Sequence, residues 1–345
     1  VSFSKELVLA EEKDDSGDII LFEPHLIQVD KTGNIYISDK SDVVIKVFDR
    51  NGRFLRTIGS KGKGPGEFSA IASISSLNDE KLLVYDHTGK RLSFFDMKGQ
   101  FLSSSTNQDM FRIYTVTDST VIGQEMTFLM GGEDNGRETA DVVNIYNHSL
   151  KLKKTLGGFP APDFSKPIQI GKRQIMVIGR PYTEKSIYAV DKNENIFYQI
   201  TTSSYTITAY TFSGDTIRHF SRPYEKVVCT EQDKTEWALQ FAGRSVSGEV
   251  ADILSQIEFP KHKDITSKIL VDSRSNLWLK TYEEKKENEK FLTAWDIFDK
   301  RGYYSTRIWT DKEPYLFKNG KMYSREEDEE TGLVSVVRYG IEWTE

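Results

Sequence analysis

The sequence predicts an all-β fold, a β-propeller with six blades. Three observations carry this prediction. A unit of four short strands recurs along the chain, and an aromatic residue followed by a tight turn marks the same point of successive units. The chain also begins with an alternating segment, residues 3–9, that can complete the last unit. Repetition of a four-stranded unit is typical of propellers, because no blade can bury both of its faces alone.

The first unit occupies residues 24–68 and shows the pattern most clearly. Residues 28–39 read as a strand, a tight turn and a second strand, and Gly33 takes the turn position that tolerates a positive φ. A third strand follows at residues 43–49, and a turn at residues 50–52 leads to a fourth strand at residues 54–59. Four antiparallel strands joined in sequence form one propeller blade.

The turn between the third and fourth strands sets the repeat. The segment at residues 48–52 recurs at residues 95–99, 146–150, 210–214 and 298–302. These phases predict a single domain with blades at about residues 24–68, 69–105, 110–160, 168–221, 263–310 and 313–345. The last unit lacks a fourth strand of its own, so residues 1–13 are expected to supply it and close the ring, which removes an exposed sheet edge.

Residues 222–262 interrupt the repeat between blades four and five. Residues 230–233 have the pattern of a helix cap, and Val250, Ile253, Leu254 and Ile257 follow at helical spacing. We therefore expect a short helical insertion that packs on one face of the ring. Two further insertions, residues 130–139 and 283–290, lengthen the third and fifth repeats.

Composition excludes several classes of function. The 46 basic and 52 acidic side chains leave a net charge of −6, which disfavours nucleic-acid binding. Cys229 is the only cysteine, so an internal disulfide is impossible. No apolar run approaches the ~20 residues of a membrane span. The chain starts at Val1 without a signal-peptide pattern, so either a leader or lipid anchor was removed before this point or this sequence begins late in a longer chain. We expect a monomer.

Residues 30–39, followed by residues 45–52, resemble an NHL repeat, and residues 59–68 resemble the glycine-rich link that ends such repeats. The segment from Pro260 to Lys263, with residues 269–279, resembles a bacterial six-bladed propeller family whose members are often lipid-anchored or secreted. The resemblance implies the fold and an extracytoplasmic setting, and it implies no activity.

Two functions remain open. The first is a non-catalytic scaffold that binds a protein, peptide or glycan on a loop-rich face and needs no cofactor. Aromatic residues at loop ends, Tyr182, Tyr224 and Trp309, are candidates for such a binding platform.

The second function is a hydrolase. Glu23, before the first inner strand, resembles the glutamate that six-bladed lactonases place there. With Asp39 and Asp86 it would hold Ca²⁺ or another divalent cation in the central channel, where a bound water could attack an ester. The alternative role for Asp39 and Asp86 is to cap turns by accepting backbone N–H groups.

Overall fold

The computed structural model describes residues 1–9, 21–77, 80–117, 120–129, 138–163, 168–170, 174–176, 179–242, 247–328 and 330–343. In this part of the chain, six four-stranded antiparallel sheets confirm the predicted six-bladed propeller. The insertion expected at residues 130–139 lies largely outside the described residues.

The chain starts with strand β1 (Ser2–Leu9), and the first three blades follow it. Blade one consists of β2 (Pro24–Val29), β3 (Ile35–Asp39), β4 (Val44–Phe48) and β5 (Phe54–Ile58). A short parallel pair, β6 (Ser60–Lys61) and β7 (Glu67–Phe68), leads to blade two. Blade two consists of β8 (Ile71–Leu77), β9 (Lys81–Asp86), β10 (Arg91–Asp96) and β11 (Phe101–Thr106). Blade three consists of β12 (Met110–Val116), β13 (Val121–Leu129), β14 (Glu138–Tyr146) and β15 (Leu152–Pro160).

Additional elements precede each of the next two blades. The hairpin β16 (Ile168–Ile170) and β17 (Gln174–Met176) precedes blade four, which consists of β18 (Ser186–Asp191), β19 (Ile196–Thr201), β20 (Thr206–Thr211) and β21 (Thr216–Ser221). Helices α1 (Glu231–Ala242) and α2 (Ser247–Gln256) form the expected insertion. Blade five consists of β22 (Thr266–Val271), β23 (Leu277–Glu287), β24 (Lys290–Phe298) and β25 (Tyr304–Thr310). Blade six consists of β26 (Pro314–Lys318), β27 (Lys321–Glu327), β28 (Val334–Glu342) and β1.

The N-terminal strand closes the ring as predicted. Strand β1 pairs antiparallel with β28, and Ser2 lies opposite Glu342. The first strand of every blade contacts the first strands of both neighbouring blades, so six inner strands surround the central channel.

The turn between the third and fourth strands is the same in five blades. In blade one, the Gly52 N–H donates to the Asp49 carbonyl at 3.0 Å, and the Asp49 carboxylate accepts two further backbone N–H groups. The residue at the position of Gly52 has a positive φ in each of these blades. In blade three that residue is Leu150, with φ 54°, which explains why this repeat is weak in sequence although its geometry is kept.

The core lies between the blades. In the described residues, six apolar clusters each join one pair of adjacent sheets, such as Tyr205 with Phe298 between blades four and five. Trp278, which is fully buried, contacts Trp295 and Phe317 between blades five and six. Burial of apolar surface between sheets is therefore what holds the ring together.

The helical insertion is fastened to the ring by polar contacts. Thr230 and Asp233 cap α1 reciprocally, the Asp233 N–H donating to the Thr230 hydroxyl at 3.2 Å. The buried Lys263 ammonium pairs with Asp233 and lies 5.5 Å and 5.6 Å from the ring centres of Tyr182 and Tyr282. An apolar cluster joins both helices to Ile168 of β16, so the two additions form one layer.

Candidate binding site on the loop-rich face

The propeller has two different faces. Because the strands of each blade alternate in direction, the second-to-third hairpins and the links between blades lie on one side of the ring. This side carries β6–β7, β16–β17, both helices and the extended β23–β24 hairpin, and we call it the loop-rich face. The opposite side carries the first-to-second and third-to-fourth turns, and we call it the turn face.

The channel end at the turn face is cross-linked by its own side chains. The Lys192 ammonium donates to the Ser75 hydroxyl at 2.8 Å, which joins blade four to blade two across the channel. The Asn319 amide donates to the Asp30 carbonyl at 2.8 Å, and the Gly320 N–H donates to the Ser273 hydroxyl at 3.0 Å. A cavity of about 340 Å³, lined by Lys192 and Asn319 among others, lies at this end. Because these side chains already bond across the channel and the face carries only short turns, the loop-rich face is the better candidate for ligand binding.

The structure brings Glu23 and Asp39 to one cavity on the loop-rich face. This cavity, about 420 Å³, lies between blades one and two and is also lined by His25. Burial and the charges of Lys40 and Arg325 lower the pKa of His25 to about 4, and its buried Nδ1 has no hydrogen-bond partner among the described residues. His25 is therefore neutral at physiological pH.

The Asp39 and Asp86 carboxylates are occupied by backbone groups. Asp39 accepts the N–H groups of Phe22, Glu23 and Ser41 at 2.7, 3.2 and 3.0 Å. Asp86 makes the equivalent bonds in blade two, with the Ser69 N–H at 2.7 Å. Each carboxylate thus ties the link before an inner strand to the end of the second strand. Within the described residues, no three His, Cys, Asp or Glu side chains are grouped to hold a metal ion. The assignment of Glu23, Asp39 and Asp86 as metal ligands stays a prediction.

A second cavity, about 460 Å³, lies among the inner strands of blades three, four and five. We call it the Asp141 cavity. Its volume falls within the range of ligand pockets, roughly 300–1,000 Å³. Because inner strands start at the loop-rich face, the residues at their beginnings place the cavity at that mouth of the channel. Its polar and aromatic lining comprises Arg112, Tyr114, Gln124, Asp141, Lys185, Tyr188 and Lys268.

Asp141 is the most unusual residue of this cavity. Its side chain is 4 % exposed, and its Oδ1 has no hydrogen-bond partner in the described part of the chain. Burial raises the pKa of Asp141 to about 6, although the nearby Arg112 charge and the neighbouring Gln124 and Tyr188 oppose the increase. The Tyr188 hydroxyl is close enough to interact electrostatically, yet it too makes no hydrogen bond of acceptable geometry there. A buried carboxylate without full compensation is costly, which is typical of functional sites.

Asp296 is a buried carboxylate with which Asp141 can be compared. Like Asp141, it lies on the third strand of a blade, and its side chain is fully buried. The Arg222 and Arg307 guanidinium groups both pair with it, and the Tyr205 hydroxyl donates to its Oδ2 at 2.6 Å. Both oxygens of Asp296 are thus occupied, whereas Oδ1 of Asp141, a residue that lines the cavity, is buried and has no hydrogen-bond partner among the described residues.

Aromatic rings form the wall beside Asp141. Tyr114 and Tyr188 lie 4.7 Å apart between ring centres, and Phe197 stacks on Tyr188 at 5.6 Å. Burial raises the pKa of both tyrosine hydroxyls above the usual range, so they remain protonated and can donate hydrogen bonds. The Tyr114 hydroxyl donates to the Gln124 side-chain oxygen, which orients that amide.

Sequence reasoning did not find the Asp141 cavity, although one signal was present. Asp141 alternates with Val143 and Ile145 along β14, and both of these residues are buried. A carboxylate in phase with buried apolar residues must point into the core.

The aromatic residues proposed as a platform are distributed instead. Tyr182 packs on Tyr282, Tyr224 packs on Tyr205, and Trp309 lies 5.1 Å from the Lys285 ammonium.

Fold and cavities together define a six-bladed propeller with cavities at both ends of its channel, and comparison with known proteins agrees on the fold. A family model described as DUF5128, 6-bladed beta-propeller, matches residues 16–121. A member of the DUF4221 family from Bacteroides vulgatus is similar in structure, with a TM-score of 0.58, 11 % identity and coverage of 99 % of both chains. A Bacteroides fragilis protein provisionally named as exported has a TM-score of 0.56 and 13 % identity, covering 99 % of this chain and 95 % of that one. A search of curated proteins finds no match.

The family model matches less than half of the chain, and the solved structures at 11 % and 13 % identity show the six-bladed fold; the NHL-repeat assignment stays a prediction. Among the described residues, no helix is long and apolar enough to cross a membrane.

Proposed function

We propose that this protein is a non-catalytic binding propeller whose ligand docks on the loop-rich face. The observation that carries the proposal is the asymmetry of the two channel ends. The turn face carries only short turns, and its channel end is bridged by bonds such as that from Lys192 to Ser75. The loop-rich face carries all the insertions of the ring and a cavity of about 460 Å³ lined by the buried Asp141. Proteins position binding groups on loops that a rigid scaffold holds in place.

We further propose an extracytoplasmic location. One point supports it: the structurally similar Bacteroides fragilis protein is provisionally named as exported.

Oriented attachment to a surface tests the binding face. Lys98→Cys introduces a tether on the turn face, and Glu284→Cys introduces one on the β23–β24 hairpin of the loop-rich face, both in a Cys229→Ser background. The purified chains are then screened by surface plasmon resonance against glycans and envelope proteins. Ligand binding should persist with the turn-face tether and fall at least about tenfold with the loop-rich tether. Equal binding in both orientations, or the reverse order, contradicts the assigned face.

The hydrolase remains the second candidate, supported by the shared cavity of Glu23, His25 and Asp39. The purified chain is assayed against a panel of lactones with and without Ca²⁺. Metal-dependent turnover that Glu23→Gln abolishes would replace the binding proposal. If turnover survives Glu23→Gln, the assignment of Glu23 to the catalytic site is wrong.

A further inference from the structure

We propose that the Asp141 cavity binds an acidic sugar, whose hydroxyl groups donate to Asp141 and whose carboxylate faces Arg112 and Lys185. This inference rests on the proposed binding function and names its ligand class. It is carried by three features of the cavity lining: a buried carboxylate oxygen without a hydrogen-bond partner among the described residues, aromatic side chains, and basic side chains.

The unpartnered oxygen of Asp141 requires a hydrogen-bond donor from the ligand. Asp141 Oδ1 is buried and unpartnered among the described residues, and the Tyr188 hydroxyl, in the same state, lies beside it. A ligand with several hydroxyl groups can donate to the carboxylate and accept from the tyrosine together, which removes two unsatisfied buried groups. A ligand ammonium would also donate, but the Arg112 charge that acts on Asp141 would repel it.

The aromatic and basic side chains of the lining specify the other features of the ligand. The rings of Tyr114 and Tyr188 in the lining suit the C–H surface of a pyranose ring, because aromatic rings bury apolar surface while keeping a polar edge. Phe197 already covers one face of Tyr188. The lining contains three cations, Arg112, Lys185 and Lys268, and one carboxylate, Asp141. Glu313 engages Lys268 at 2.9 Å, and the Lys185 charge also acts on Asp264. The lining itself therefore carries more positive than negative charge. An anionic group on the sugar is therefore favoured over a neutral one.

Isothermal titration calorimetry with digalacturonate and trigalacturonate tests the inference. The matched ligands are the corresponding methyl esters, which keep the hydroxyl groups and remove the charge. We expect the free acids to bind at least about tenfold more tightly than the esters. Arg112→Gln should remove this preference, and Asp141→Asn should weaken both ligands at least about tenfold. Asp252→Asn, which changes an exposed carboxylate on α2, is the control and should leave binding unchanged.

The outcomes separate this inference from the proposed function. Equal affinity for acid and ester, or affinity unaffected by Arg112→Gln and Asp141→Asn, overturns the acidic-sugar assignment. Absence of uronate binding at millimolar concentration also overturns it. If the surface screen then finds another ligand on the loop-rich face, the binding function stands. Circular dichroism of each variant verifies that lost affinity does not reflect unfolding.

Discussion

Replacement of Asp141 by asparagine should make the protein more stable at neutral pH, and the gain should disappear in acid. Burial raises the pKa of Asp141 from 3.8 to about 6 in the folded chain. Between these pH values the folded chain keeps a proton that the unfolded chain has released. The free energy of unfolding therefore falls as the pH rises through this range, and the Asp141→Asn variant would lack that loss.

The size of the effect follows from the two pKa values. Their difference corresponds to at most about 3 kcal/mol at neutral pH, and solvent in the open cavity reduces the expected value to about 1–2 kcal/mol. Urea unfolding of both proteins at about pH 7.5 and about pH 4 measures it, because the variant should differ in midpoint and not in slope. Asp252→Asn controls for the loss of one negative charge.

Two results would refute this reasoning. The gain could be the same at both pH values, in which case it would not arise from ionisation of Asp141. Alternatively, Asp141→Asn could destabilise the protein at neutral pH. The carboxylate would then be stabilised by Arg112 and would not be held in an unfavourable state.

Three further predictions address other parts of the molecule. The His25 ring should titrate near pH 4 in nuclear magnetic resonance spectra. Because the unfolded chain binds this proton near pH 6.5, the free energy of unfolding should fall as the pH falls from 6.5 toward 4. A midpoint near 6.5 would show that the ring is not buried. Leu9→Ala should lower the free energy of unfolding by about 2–5 kcal/mol because Leu9 is fully buried in the closure between blades six and one, whereas Val8→Ala, 43 % exposed, should cost less than about 1 kcal/mol. Lys263→Ala should destabilise the protein by about 2 kcal/mol in urea unfolding, because it removes the charged hydrogen bond to Asp233, which keeps only its bonds to Thr230. The same variant should speed proteolysis within residues 222–262, and an unchanged cleavage rate would show that Lys263 does not hold the insertion to the ring.

The repeated fold could be predicted from the sequence because its causes are local. An aspartate that accepts the N–H groups two and four residues later, with glycine between them, forms a turn from nearby atoms alone, as at Asp49 and Gly52. The same holds for the cap formed by Thr230 and Asp233 on α1. Alternation of apolar residues then specifies which side of each strand is buried. Closure by β1 was also predictable, since the last unit lacked one strand.

The binding cavity depends on relations that no local pattern contains. Arg112, Asp141, Lys185 and Tyr188 come from three different strands and one link, and they meet only because blades three and four pack side by side. Asp141 and Asp296 are alike in sequence, each a carboxylate among buried apolar neighbours. Arg307, directly opposite on β25, and Arg222, from the link after blade four, both reach Asp296, whereas Asp141 Oδ1 has no hydrogen-bond partner in the described ranges. Local hydrogen bonding and side-chain alternation thus determined the propeller, whereas packing between blades decided which side chains meet in the Asp141 cavity.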